Sequence, residues 1–156
     1  MTIDDYHASQ PVVDTATIQQ VLDSYPGLGH RGYFPNGTSY GGEHVDNRLE
    51  PFSVEAVEWC ALVLRRNFTP LLKPSAAVVS HQVARIMERR RAATGEVKDP
   101  YVTEGELVVA AIIDGFPVCP DLTGSTGACS LGISPRALKM FDARSQIQAS
   151  GGETSC

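Results

Sequence analysis

No stretch of the chain approaches the roughly 20 consecutive apolar residues that a bilayer span needs. The opening MTIDDYHASQ holds two acids, no Lys or Arg and no apolar run suited to a secretory leader. A cytoplasmic protein with no membrane contact is expected. Cysteine is sparse and unpatterned: Cys60, Cys119, Cys129 and Cys156 never form the Cys-x2-4-Cys pairs of a zinc site. No metal is expected. A Cys119 to Cys129 disulfide would fit a loop, but a chain without an export signal keeps its thiols reduced, so free thiols are expected, with Cys60 as a small core residue. Also missing are the Gly-Lys-Ser/Thr ending of a P-loop, a Gly-x-Gly-x-x-Gly that follows a strand, and a Gly-x-Ser-x-Gly elbow. No catalytic residue and no cofactor is assigned on these grounds.

What is present is ordinary globular material. The 156 residues are 42% hydrophobic and 20% charged, enough for one domain with a real core and too apolar for a disordered chain. The net charge of -5 conceals a sorted distribution. Residues 1–64 carry nine acids against two bases, residues 65–98 two acids against eight bases, and the rest seven acids against three bases. One basic block thus lies between two acidic ones. It can serve an anion-binding surface or simply pair with the protein's own carboxylates.

Periodicity predicts a mainly α, single-domain bundle of about five helices. Residues 1–13 form an N-terminal arm, 14–147 the helical domain, and 148–156 a polar, Gly-containing flexible tail. Asp14 and Thr15 can cap a first helix whose Ile18, Val21, Leu22 and Tyr25 share a face. The Gly- and aromatic-rich segment 27–42 reads as a loop or small hairpin around the Pro35-Asn36-Gly37 turn signal. Ser53 caps a second helix to about Asn67, with Glu55 and Glu58 near its start and Arg65 and Arg66 near its end. A third helix is expected from Ser75 to about Arg91, with Val79, Val83, Ile86 and Met87 inward and His81, Arg85, Glu88 and Arg89 outward. Thr103-Glu-Gly-Glu106 is a capping box before the apolar run LVVAAII, which predicts a buried helix ending at Asp114 with Gly115 left-handed. Residues 117–133 read as irregular, with a short strand near 128–133. Ser134-Pro135 opens a last helix through Leu138 and Phe141.

Two regions carry candidate binding residues. In the glycine-rich loop, Arg31, Tyr33, Phe34 and Tyr40 could form a small stacking and phosphate-contacting surface. His30 and His44, with Glu43 and Asp46 nearby, could supply a general base and its orienting carboxylate, but no nucleophile sits at a telling position. In the third helix, His81, Arg85, Arg89, Arg90 and Arg91 supply donors suited to phosphates, base edges or acidic protein surfaces. A helix-turn-helix reading would join this helix to the second one. The link Phe68 to Pro74, however, has seven residues and two prolines where that motif takes three or four.

The segments NFTPLLKPSAAVVSHQVARIMERR, YVTEGELVVAAIIDGF and GACSLGISPRALKMF resemble a group of small uncharacterised proteins of bacterial mobile elements, over about residues 67–141. The most specific part is Ser75 with His81, followed by Tyr101-Val-Thr-Glu-Gly. Where the group's pattern has Ser-Tyr-x-Leu-Lys-His, this chain has AAVVSH, without the Tyr and the Lys. The resemblance implies a phage or plasmid context and carries no activity with it. The expected function is a non-enzymatic binding protein acting through surface contacts on a host or phage assembly. A protein partner is favoured over nucleic acid, homo-oligomerisation is compatible, and the alternative is a small DNA- or RNA-binding regulator using the helix at 75–91.

Overall fold

The computed structural model describes residues 13–35, 49–121 and 126–154, with residues 145–154 described by backbone alone. Among the described residues are five helices and two small antiparallel sheets. The architecture is therefore mixed α/β with helix predominating, which corrects the expectation of a helical bundle. Residues 1–12 of the expected arm at 1–13, the Asn36-Gly37 part of the turn signal, Tyr40, Glu43, His44 and Asp46 lie outside the described residues, while Val13 packs against the core.

Helix α1 (Thr15–Ser24) starts as its sequence dictates, with an Asp14 carboxylate oxygen accepting the Thr17 N–H at 2.8 Å, and it buries Ile18, Val21 and Leu22. The chain then reverses in a hairpin of β1 (Leu28–Gly29) and β2 (Gly32–Tyr33). The turn is His30-Arg31 rather than the proline signal further on. Helix α2 (Val54–Asn67) has the predicted Ser53 cap, with the Ser53 hydroxyl accepting the Ala56 N–H. Its Ala56, Val57, Cys60, Ala61 and Leu64 are buried, while Trp59 is half-buried.

The largest departure from expectation falls at Ser75. Residues Ser75–Val79 are not the first turn of a helix but strand β3, and helix α3 runs Ser80–Thr94. An Ala-Ala-Val-Val run is compatible with either state, and the decision comes from a distant partner. β3 pairs with β5 (Cys129–Leu131), which also pairs with β4 (Val118–Pro120), giving the sheet order β3-β5-β4. Ser80 reinforces the choice, because its buried hydroxyl accepts the Cys129 N–H at 2.9 Å and ties the start of α3 to the central strand. β5 is the short strand expected near 128–133, whereas β4 occupies a stretch expected to be irregular.

Helix α4 (Glu104–Ile113) is the hub. Gly105 through Ala111 are all buried, as an all-round apolar run requires, and α1, α2, α3, β2 and β4 pack against it. The capping box is complete, with reciprocal bonds between Thr103 and Glu106. Gly115 adopts the predicted left-handed conformation at φ 83° just after the Asp114 cap. Helix α5 (Pro135–Thr154) begins with the Ser134 hydroxyl accepting the Ala137 N–H and buries Leu138 and Phe141. Its regular backbone continues past Gln148, where the sequence suggests a tail. Most of the buried apolar side chains, from Ile18 to Phe141, belong to one contiguous core.

Candidate interaction surfaces and a polar cavity

Along α3, Val83, Ile86 and Met87 are buried and His81 and Arg89 exposed as the pattern predicts, whereas Arg85 and Glu88 are half-buried and Val79 lies in β3. The arginines, however, are not a free stripe. Arg85 donates from Nη2 to the Val102 carbonyl at 3.0 Å, and its Nη1 lies 3.1 Å from Glu88. Arg89 is paired with Asp142 of α5 at 3.0 Å. Arg90 lies over the Phe141 ring, 5.1 Å from its centroid. Arg91 is turned inward and is only 5% exposed. Arg85 and Arg89 are thus committed to the chain's own acids, while Arg90 lies against a ring and Arg91 reaches a backbone carbonyl.

His81 contacts Glu104 at 3.7 Å, beside Arg85, buried Ser80 and Cys129. Burial raises the Glu104 pKa to about 7, opposed by the Arg85 charge and a hydrogen bond from Ser80. This cluster brings no activated nucleophile with it. Burial also pushes the Cys129 thiol up to about 12, and the Cys60 thiol higher still, so neither is a reactive thiolate near neutral pH. Cys119 and Cys129 are on neighbouring strands, but Cys119 opposes Ser130 and Cys129 opposes Pro120, so the two side chains point to opposite faces. Cys60, Cys119 and Cys129 are free thiols. Among the described residues, no group of three or more His, Cys, Asp or Glu could hold a metal ion.

In the hairpin, Arg31 is exposed at the turn, whereas Tyr33 is half-buried with its ring edge-on to Tyr25 at 6.1 Å. Tyr33 serves packing more than stacking on a ligand, and Phe34 is buried. The glycines here answer to close approach. Gly27, at φ 91°, lies so near the Phe34 carbonyl that any Cβ would overlap it. Gly27, Gly29 and Gly32 do spell Gly-x-Gly-x-x-Gly, but the run follows a helix and leads into a hairpin, so no phosphate-cradling strand–turn–helix exists around it.

A polar cavity of about 530 Å³ opens where the end of α3, the 95–101 loop and the starts of α2 and α4 converge. Each element places its residue there for a local reason. Gly95, left-handed at φ 68°, ends α3 one turn beyond Arg91 and turns the chain over the cavity. Gly105 packs directly on the Gly29 and His30 carbonyls and donates its N–H to the His30 carbonyl at 3.1 Å, which fixes His30 at the cavity wall. Glu106, 2% exposed, forms part of the wall; one carboxylate oxygen accepts the Thr103 N–H at 2.9 Å and the other the Ser53 N–H at 2.6 Å. One buried carboxylate thus fastens the N-caps of two helices. The sequence pattern identified half of that arrangement, the capping box, but nothing local to it points to Ser53.

No protein-family model, curated protein or solved structure matches the chain.

The most exposed large apolar side chain among the described residues is elsewhere. Leu72 is 99% exposed in the link between Pro70 and Pro74, beside Leu71, whose N–H donates to the Gly132 carbonyl at 2.9 Å. The backbone of this projection is thus fastened to the end of β5. No helix among the described residues is long and apolar enough to cross a membrane.

Proposed function

We propose that this chain is a non-enzymatic binding protein that acts in the cytoplasm through a protein partner, in a phage or mobile-element context, and that its contact region is the 70–74 projection rather than the basic helix. The observation that carries the reading is Leu72, presented wholly to solvent on a loop held by two prolines and a backbone hydrogen bond. Burying such a side chain in a partner's apolar groove contributes roughly 1.5–3 kcal/mol. A preordered loop loses little conformational entropy in doing so. Exposed Lys73 adds a cation beside it, so the matching groove is apolar with an acidic rim.

The regulator reading draws less support, because a nucleic-acid interface needs several uncommitted cations along the phosphates. Arg85 and Arg89 are paired on the surface of α3, and Arg91 is inside. Affinity capture from a bacterial host, with and without nuclease, separates the two. A defined protein held by the wild type after nuclease and lost with Leu72→Asp supports the proposal. Capture that nuclease abolishes, and that Leu72→Asp leaves intact, overturns it in favour of nucleic acid.

A further inference from the structure

Arg91 is in an unusual electrical position. It is nearly buried, yet among the described residues its guanidinium makes one hydrogen bond, a long one from Nη1 to the Tyr101 carbonyl at 3.5 Å, and its buried Nε has no partner there. Among the described residues no carboxylate oxygen lies within 4.0 Å of the guanidinium. The neighbouring carboxylates are already committed. Glu106 spends its two oxygens on the Ser53 and Thr103 N–H groups, and Glu88 spends its own on the Val102 N–H and Arg85. An ionised guanidinium held out of water with so few partners is costly unless an anion joins it. Arginine stays protonated in such a place, so it cannot relieve the cost by losing its charge.

Arg91 is among the residues that line the polar cavity, which is large enough for a small molecule. The rest of the lining selects what kind. Exposed Glu55, Glu96 and Asp99 outnumber the one exposed cation at the mouth, Lys98, so the rim is net negative and opposes a polyanion such as a nucleotide phosphate chain. The same acids would attract an ammonium group. We propose that the cavity binds a small zwitterion of amino-acid or dipeptide size, its carboxylate on Arg91 and its amino group toward the acids at the mouth. The planar fork of the guanidinium matches a carboxylate, and the Ser53 hydroxyl and His30 ring supply further polar contacts along the wall. This site is separate from the 70–74 projection, so either reading can fail without the other.

The test is a titration of the full chain, followed by backbone amide NMR shifts and thermal melting, with glycylglycine, acetate, methylamine and inorganic phosphate as probes. Glycylglycine is expected to give saturable shifts at Ser53, Arg91, Tyr101 and Thr103 and to raise the melting temperature by mass action. Acetate should bind about tenfold more weakly, and phosphate more weakly still. Arg91→Lys should weaken glycylglycine at least about tenfold, since an ammonium group lacks the guanidinium fork. Should that variant fold poorly, Glu96→Gln, at an exposed position, decides: it should weaken glycylglycine and leave acetate unchanged. The proposal is overturned if glycylglycine gives no saturable local shift by about 50 mM. It is equally overturned if phosphate binds more tightly than acetate, if methylamine alone matches glycylglycine, or if a folded Arg91→Lys or Glu96→Gln binds glycylglycine as the wild type does.

Discussion

Replacing Glu106 by alanine is the sharpest probe of how this molecule is held together. The side chain is 2% exposed and accepts two backbone N–H groups, at 2.9 Å from Thr103 and 2.6 Å from Ser53. Those donors belong to the caps of α4 and α2, the two helices that share the most extensive contact in the fold. A hydrogen bond to a charged group contributes about 1.5–3 kcal/mol, and both bonds vanish together in Glu106→Ala, leaving two donors without their acceptor. Removing a buried charge returns part of its desolvation cost, so the net loss is placed at about 3–4 kcal/mol. Against a typical domain stability of about 5–15 kcal/mol this is a large fraction. For a chain of this size it corresponds to a fall of roughly 10 °C in melting temperature. Glu106→Gln retains one good acceptor and should lose about half as much. Urea unfolding followed by far-UV circular dichroism measures both variants, with an unchanged m-value required for a simple comparison. An alanine variant within about 0.5 kcal/mol of wild type, or a glutamine variant as unstable as alanine, would refute the double-cap reasoning.

Gly105→Ala pushes a methyl group into the Gly29 and His30 carbonyls, so it should cost roughly 1–3 kcal/mol in thermal unfolding; a neutral effect would contradict the close packing of α4 on the hairpin. Thiol alkylation of the native protein, mapped by mass spectrometry, should modify Cys119 while sparing buried Cys60 and Cys129, and equal labelling of all three would deny the burial. Glu104 has a folded pKa of about 7 against an ordinary 4.5, so its contribution favours the fold fully below about pH 4.5 and is lost as pH rises through about 7. Melting temperatures between pH 5 and pH 8 should show that decline in the wild type, with a visibly flatter profile in Glu104→Gln. Identical profiles would remove Glu104 as the cause.

Local chemistry determined a good deal. Asp14, Ser53 and Thr103 cap where their side chains predict, Gly115 is left-handed where the apolar run ends, and Ser134-Pro135 opens α5. These devices act within three or four residues, so the sequence suffices to read them. The buried character of α4 was equally legible, because an apolar run with no polar face has nowhere to go but the core. Tertiary structure decided the rest. Ser75–Val79 became a strand because β5, more than fifty residues later, offered it a ladder, and Ser80 then bonded that strand's backbone instead of lying within a longer helix. The fate of the arginines was likewise a matter of distant partners: Asp142 for Arg89, the Val102 carbonyl for Arg85, and a cavity wall for Arg91. A helical wheel orders side chains around one axis, but which cation meets a carboxylate, a ring or a cavity wall depends on elements that only folding brings together.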